Sequence, residues 1–251
     1  MFKDNLFNVE ELRREKAEYF HIGIPGLTKE LEDDYMILFA GRPAMGKTTF
    51  LTRIAIGACG NKLKVAYFSL GLSKIRLMKN MVCQFLGDSK STPFNKVYNK
   101  SKNSNQFDFL KQCYIFDKIY SSKEICNIIL DLDREIHGLD LVIIDGVEDI
   151  TDYSNEMYYL FNSLSSDLNI RFIFSAKVGR ECECRLDNRP RINDLKYSCN
   201  LMEHFSKIIL LYREGYYDSR VNKNNDMLEL DIYKVDCGIY VKDTTYETMN
   251  T

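Results

Sequence analysis

Short apolar runs alternate with segments of helical periodicity along most of the chain. The run 141–145 is apolar up to its final aspartate, which is typical of a strand buried on both faces of a parallel sheet. Strands that alternate with helices in this way predict an α/β domain with a mostly parallel, twisted sheet and helices on both faces. The predicted strands are 35–40, 65–69, 114–116, 141–145, 172–175 and 208–212, and the predicted helices are 47–58, 75–86 and 121–136.

The C-terminal part of the chain has a different pattern. Residues 227–233 and 239–242 alternate apolar and polar side chains on either side of a turn at 236–238, which predicts a β-hairpin. Residues 87–108 are rich in Ser, Asn and Lys and predict a long surface loop. The patterns together predict a single domain whose sheet has an antiparallel C-terminal edge.

The first twenty residues form a separate amphipathic segment. Such a helix either packs on its own domain or docks as an arm on a neighbouring subunit. We therefore divide the chain into an arm or linker helix, 1–20, and a main domain, 21–251. The apolar side chains that fall roughly on one helical face are Leu6, Val9, Leu12 and Phe20.

Composition narrows the class of protein further. The 34 Lys and Arg against 36 Asp and Glu exclude a protein whose whole surface is basic, but they leave room for a local basic patch. No transmembrane run or secretory signal is present in the sequence, so no membrane partner is expected. The eight cysteines are scattered and form no C-x-x-C pair, which favours reduced thiols and a cytoplasmic location.

The residues after the first predicted strand match a phosphate-binding loop. Its glycines let successive N–H groups turn towards an anion, and the following helix directs its positive end at the same point. Lys47 supplies a point charge to the outer phosphates. The predicted nucleotide-binding residues are Gly41, Arg42, Pro43, Ala44, Met45, Gly46, Lys47, Thr48 and Thr49.

A carboxylate for the metal ion is expected at the end of a buried strand close to this loop. The run 141–145 supplies one, and Asp145 together with the Thr48 hydroxyl is the predicted Mg²⁺ site. ATP or another nucleoside triphosphate, with Mg²⁺, is therefore the expected ligand. Lys47 and Asp145 are the first candidates for catalytic roles.

Beyond the loop, the chain resembles the DnaB-type replicative helicases. Residues 40–50 are similar to the Walker A segment of that family, in which Arg-Pro-x-Met-Gly-Lys-Thr is characteristic. Residues 68–72 resemble its Phe-Ser-Leu-Glu-Met, and residues 143–148 resemble its Ile-Ile-Asp-Tyr-Leu-Gln. Weaker similarities follow in family order at 22–27, 188–195, 211–214 and 234–238.

The resemblance implies a RecA-like P-loop NTPase core that acts as a DNA helicase in DNA replication. It also implies assembly into a homo-oligomeric, hexameric ring around single-stranded DNA, with ATP held between subunits. The chain is expected to correspond to the motor core without the family's N-terminal helical domain. Residues 1–20 would then match the linker helix that packs on the adjacent subunit.

Several positions depart from the family pattern. The family's Glu that polarises the attacking water is Gly71 here. The family's γ-phosphate-sensing Gln follows a Ser, whereas Ser175 is followed by Ala176. Asp236 stands in place of the arginine finger that acts on the neighbouring subunit's nucleotide, although Lys234 remains as a trans-acting candidate.

These departures remove groups that drive turnover and leave those that hold nucleotide. Loss of a general base is costly, since such a group contributes about 10² to 10⁴ in rate. Glu148, three residues beyond Asp145, is the candidate replacement for the base, and a solvated surface acid is the alternative interpretation. We expect a nucleotide-binding domain with weakened hydrolysis. The alternative is a non-catalytic nucleotide-binding subunit or regulator that associates with another helicase subunit.

The segment 177–191 is the candidate contact to DNA. The family's pore-facing loop lies in this region, and positive side chains there can neutralise backbone phosphates without reading sequence. A solvated loop is the alternative, because three acids lie among the cations. The candidate DNA-binding residues are Lys177, Arg180, Arg185, Arg189 and Arg191.

Overall fold

The strands form one mixed sheet. The computed structural model describes residues 35–89, 91–102, 105–196, 201, 203–218, 227–236 and 239–248. Within these ranges the strand order is β3-β2-β4-β5-β1-β6-β7-β8, parallel from β3 to β6 and antiparallel from β6 to β8. The strands are β1 Met36–Gly41, β2 Val65–Ser69, β3 Cys113–Phe116, β4 Leu141–Asp145, β5 Arg171–Lys177, β6 Lys207–Arg213, β7 Met227–Asp236 and β8 Ile239–Thr248.

Helices connect the parallel strands, as the alternating pattern predicts. The predicted capping box is present, because the Ser121 hydroxyl accepts from the Glu124 N–H while the Glu124 carboxylate accepts from the Ser121 N–H. Short 3-10 helices lie at Asn105–Gln112, Val147–Asp149, Arg180–Cys184 and Ile192–Asp194. The α-helices are α1 Lys47–Gly60, α2 Lys74–Leu86, α3 Phe94–Lys102, α4 Ser122–Ile136, α5 Met157–Leu168 and α6 Glu214–Tyr217.

The sheet separates two apolar cores. On one face, side chains of β1 and β4 such as Phe39 and Ile143 pack against α1 and α2. On the other face, alternate residues such as Phe68 and Phe174 pack against α4 and α5. Burial of both faces explains the uninterrupted apolar runs of the central strands. The prediction of an α/β fold with helices on both faces is confirmed.

Two segments differ from the predicted elements. Residues 87–108 are not one long loop, because α3 and the start of a 3-10 helix lie within them. The side chain of Val97 anchors α3 in the protein interior, and the Asn, Lys and Ser residues around it cover its solvent side. Helix α5 is absent from the predicted elements because Ser and Asn residues, which favour turns, interrupt its apolar stripe.

The antiparallel edge agrees with the predicted hairpin. Strands β7 and β8 pair along their whole length, from Met227 opposite Thr248 to Asp236 opposite Ile239. The residues of the turn itself, 237 and 238, and the predicted arm, 1–20, lie outside the described residues. The division into an arm and a main domain therefore stays a prediction.

Candidate functional site

A pocket of about 850 Å³ opens where the parallel strands end. In open parallel sheets the carboxyl ends of the strands are the usual place for a ligand. The phosphate-binding loop after β1 forms one side, and residues at or after the ends of β2, β4 and β5 form the opposite wall. Residues that line the pocket include Lys47, Thr48, Gly71, Asp145, Gly146, Glu148, Asp149, Ser175 and Lys177.

The loop needs glycine at two places for different reasons. A Cβ atom on Gly41 would lie 3.0 Å from the carbonyl oxygen of Leu211 in β6, so only glycine lets the end of β1 lie this close. Gly46 has φ +95°, a left-handed conformation that glycine adopts without cost, and it directly precedes α1. The N-terminal N–H groups of α1 are thereby directed into the pocket, which suits a phosphate group.

Lys47 lies at the centre of the loop. Its Nζ donates to the carbonyl oxygens of Gly41, at 2.6 Å, and Arg42, at 3.1 Å. Burial lowers the pKa of Lys47 to about 8, and nearby Glu148 and Asp145 only partly offset this effect. A bound phosphate would restore the charged form, so the residue fits the role predicted for it.

Asp145 is buried at the end of β4 and held by two hydroxyl groups. Ser175 Oγ donates to Oδ1 at 2.6 Å, and the Tyr67 hydroxyl donates to Oδ2 at 3.1 Å. Burial, followed by the Asp145 charge, raises the pKa of Tyr67 well above its usual range, so Tyr67 stays a donor. Each carboxylate oxygen keeps a lone pair for a further partner. Asp145 and the Thr48 hydroxyl, which lines the same pocket, fit a hydrated Mg²⁺ bound to phosphates.

The wall opposite the loop is acidic. Glu148 Oε1 accepts from the backbone N–H of Lys177, while its Oε2 has no hydrogen-bond partner among the described residues. Asp149 Oδ2 lies 3.5 Å from Lys177 Nζ. Gly71, just after β2, faces the same carboxylate, since a Cβ atom there would lie 3.9 Å from Asp149 Oδ2. The wall thus combines two carboxylates and one ammonium group.

Strand β5 decides which of its last residues reaches the pocket. Successive side chains of a strand point to opposite faces, so Ser175 and Lys177 share the pocket side. Ala176 points the other way and packs in the apolar core. The position that follows Ser175 on the pocket side therefore carries an ammonium group rather than an amide.

Some residues of the predicted nucleotide-binding set point away from the pocket. Arg42 turns towards the segment 177–191, where its Nε donates to Glu183 Oε1 at 2.9 Å and a terminal nitrogen donates to the Val178 carbonyl. Met45 is buried in the core beside α1. The loop residues that line the pocket are Pro43, Ala44, Gly46, Lys47, Thr48 and Thr49.

The candidate DNA-binding cations are largely paired within the protein. Arg185 makes a bidentate contact with Asp194, Arg189 pairs with Glu229, and Arg191 pairs with Asp187. The guanidinium of Arg189 also lies 4.5 Å from the centre of the Tyr212 ring. Lys177 belongs to the pocket wall. Arg180 is exposed, and within the described residues it forms no salt bridge.

The trans-acting candidate lies on the antiparallel edge. Lys234 is half-buried in β7, opposite Lys207 of β6 and Val241 of β8. It does not line the described pocket, so its role as a trans-acting residue stays a prediction. Only the backbone of Asp236 is described.

Sequence reasoning missed the part that several residues play at this site. Tyr67, which is buried behind the pocket, lies inside an apolar strand, and Asp149 follows the Glu148 candidate. Ser175 and Lys177 lie at a strand end, and Lys177 was predicted only as a contact to DNA. A signal was available for Tyr67, because a buried tyrosine usually has a polar partner for its hydroxyl. No sequence signal distinguishes Asp149 from a surface acid.

Comparisons with known proteins give one family. The profile of the DnaB-like helicase C terminal domain matches residues 23–241. A probable replicative DNA helicase of Trieres chinensis is 26% identical over 230 residues, which cover 82% of this chain and 49% of that protein. The replicative DNA helicase DnaB of Rickettsia bellii is 28% identical over 211 residues, or 74% of this chain and 42% of that protein. The chain spans about half the length of these curated relatives.

Solved structures show the same fold. One, an isolated ATPase domain, superposes with a TM-score of 0.69 at 21% identity, covering 98% of this chain and 94% of that one. A second, a DnaB-like replicative helicase, superposes with a TM-score of 0.68 at 23% identity, covering 87% of this chain and 59% of that one. The fold is thus that of RecA-like ATPase domains, as the sequence predicts. In the described part of the chain, no helix is both long and apolar enough to cross a bilayer.

Proposed function

Because the chain belongs to the DnaB-like helicase C-terminal domain family, we propose that it is the ATP-binding motor domain of a DNA helicase that acts in replication and hydrolyses ATP slowly. The observation that carries the proposal is the asymmetry of the pocket. The groups predicted to hold nucleotide, Lys47, Thr48 and Asp145, all line it. The strand end where the resemblance places a catalytic Glu carries Gly71.

The loop would bind the phosphates, and the end of β4 would bind the metal ion. The N–H groups of the loop and of α1 would bind the phosphates, and Lys47 would compensate their charge. Asp145 and Thr48 would hold Mg²⁺, and the ion would supply positive charge to the phosphate oxygens. Tyr67 and Ser175 orient Asp145 for this role through their hydrogen bonds.

Two carboxylates compete for the role of general base. Glu148, the candidate from the sequence, has one oxygen engaged by a backbone N–H and a second oxygen without a partner among the described residues. Asp149 lies beside it on the same wall. If Glu148 is the base, Glu148→Gln will lower turnover; unchanged turnover would remove it from that role.

The direct test measures nucleotide binding and turnover on one preparation, with and without single-stranded DNA. We expect binding of Mg-ATP and turnover well below the order of 10 s⁻¹ that is typical of enzymes. Turnover near that value would overturn slow hydrolysis. Failure to bind ATP at all would overturn the whole proposal. Lys47→Ala provides the negative control for binding.

Contact with single-stranded DNA is proposed for the segment 177–191. Since the arginines 185, 189 and 191 are engaged in internal ion pairs, Arg180 is the residue best placed to meet a phosphate. Electrostatic binding predicts that affinity for single strands falls steeply with salt, and that Arg180→Ala reduces the slope by about one unit. A flat salt response would contradict this contact.

Assembly into a hexameric ring is proposed from the family, with Lys234 reaching the nucleotide of a neighbouring subunit. Lys234→Ala should then lower turnover of the assembled protein while leaving nucleotide affinity of the isolated chain unchanged. Loss of both would contradict a role in trans.

The alternative is a non-catalytic nucleotide-binding subunit or regulator that associates with another helicase subunit. The internal pairing of Arg185, Arg189 and Arg191 favours it, because paired arginines have less charge to offer DNA. Light scattering with ATP and strand displacement on a forked duplex separate the two functions. Hexamers that unwind support the motor; monomers that bind ATP without turnover support the regulator.

A further inference from the structure

The carboxylate of Asp149 lies beside the position that Gly71 leaves open. A Cβ atom built on Gly71 would have Asp149 Oδ2 as its one described neighbour within 4 Å, at 3.9 Å. The chain just after β2 and the 3-10 helix after β4 therefore meet at this carboxylate. A glutamate at 71 would begin in the same region of the pocket wall.

Gly146 makes room for the same oxygen from the other side. It has φ +98°, and a Cβ atom on it would lie 3.1 Å from Asp149 Oδ2, closer than most real contacts. Its N–H donates to Ser175 Oγ, the hydroxyl that holds Asp145. The turn that brings Asp149 into the wall is thus tied directly to the predicted metal ligand.

Asp149 is more available to water than Glu148. The side chain of Asp149 is 39% exposed and that of Glu148 is 20% exposed. Glu148 Oε1 is bound by the backbone N–H of Lys177, which fixes that side chain against β5. A general base must reach a water molecule in the pocket, so the greater exposure of Asp149, which lines the pocket, favours it over Glu148.

Lys177 positions this carboxylate. Its Nζ lies 3.5 Å from Asp149 Oδ2 and 4.0 Å from Glu148 Oε2, and Lys177 itself lines the pocket. An ammonium group at this place holds the Asp149 carboxylate in the wall of the pocket.

We propose that Asp149 is the general base of this chain. From the 3-10 helix after β4, it takes the role of the family's glutamate after β2, where this chain has Gly71. Water adds to the γ-phosphorus while the bond to the β–γ bridging oxygen breaks, which releases ADP and phosphate. One proton of the water passes to the Asp149 carboxylate and then to solvent. This inference rests on the proposed function as a nucleotide-hydrolysing domain.

The first test is Asp149→Asn in the full chain, with Asp131→Asn on the exposed side of α4 as the matched control. We expect single-turnover hydrolysis of ATP to fall about 10² to 10⁴-fold for Asp149→Asn and to stay unchanged for the control. A second readout is binding without turnover. The affinity for ADP with aluminium fluoride, which mimics the transition state, should fall, whereas that for ADP alone should not.

The second test removes the carboxylate at 149 and introduces one at position 71, where the family has its glutamate. In the Asp149→Ala background, Gly71→Glu should restore hydrolysis at least about tenfold, since the space beside 71 is then open. A residue with a purely structural role would show no such rescue. Lys177→Met should lower hydrolysis and leave ADP affinity intact.

The outcomes separate this inference from the proposed function. If the wild-type chain binds no ATP, the proposed function fails. If the chain binds and hydrolyses ATP but Asp149→Asn retains its rate, or if Glu148→Gln causes the larger loss, the inference alone is overturned. A loss of at least about tenfold at Asp149 with rescue from 71 supports it.

Discussion

The two sides of the pocket are built by different means. The phosphate-binding side is a contiguous loop followed by α1, and its charged group, Lys47, is half-buried and hydrogen-bonded to two carbonyl oxygens of the loop. The opposite wall is assembled from three strand ends, where Asp145 is buried, while Glu148 and Asp149 are partly exposed and share one ammonium group. We therefore expect phosphate binding and hydrolysis to depend largely on separate elements, so that substitutions should separate the two activities.

The largest effect is expected on the binding side, from Lys47→Ala. The ammonium group supplies charge-assisted contacts worth about 1.5 to 3 kcal/mol each, so the affinity for ATP should fall by about 100-fold or more. Titration calorimetry measures this, with Lys123→Ala on the surface of α4 as the control. Affinity close to that of the wild type would show that binding does not rely on this loop.

The same lysine should make binding depend on pH. Burial lowers its pKa in the free protein to about 8. Above that pH most Lys47 side chains are neutral and must gain a proton when a phosphate binds. Affinity for ATP should be constant just below pH 8 and fall about tenfold per pH unit above it. Calorimetry should be run at a pH about half a unit above that pKa, in buffers of different ionisation enthalpy. It should show that the protein takes up protons when ATP binds.

The free energy of unfolding should change with pH in the direction opposite to the affinity for ATP. The pKa of Lys47 is lower in the folded state than its ordinary value of 10.5, so between about 8 and 10.5 the unfolded chain binds more protons. The contribution of Lys47 to the free energy of unfolding therefore rises with pH in this window. Comparison with Lys47→Met isolates it, and a contribution that falls with pH would contradict the burial of the ammonium group.

Tyr67→Phe should weaken the link between β2 and Asp145, the predicted metal ligand. It removes the hydrogen bond to Asp145 Oδ2, and such a bond to a charged group is worth about 1.5 to 3 kcal/mol. Denaturant unfolding should show that loss, and the affinity for Mg-ATP should fall more than that for ATP without Mg²⁺. Tyr159→Phe, at an exposed position on α5, is the control.

The smallest effect is expected on the wall, from Gly146→Ala. A side chain here adopts φ +98° and presses on Asp149, at a cost of about 1 to 2 kcal/mol. ATP hydrolysis should fall while ATP affinity stays within a few-fold. Gly60→Ala, where an added Cβ atom meets no described atom within 4 Å, is the control. If Gly146→Ala weakens binding and hydrolysis equally, the two sides of the pocket are not separable.

Much of the architecture follows from local pattern. The uninterrupted apolar run of β4 and the capping box of α4 are found in the structure where the sequence predicts them. Segments whose polar residues hide a narrow apolar stripe were predicted wrongly or missed, as in α3 and α5. Packing against the rest of the protein makes such segments helical, because their local propensity is weak.

The phosphate-binding loop, the family resemblance and the glycine at position 71 can all be recognised from the sequence alone. A loop of contiguous residues can be recognised from sequence because its chemistry depends on backbone N–H groups and one helix end. The position of Asp149 and Lys177 beside Gly71 emerges only when the chain is folded. Their meeting depends on the adjacency of β2, β4 and β5, since sheet order brings together residues that are far apart in the chain.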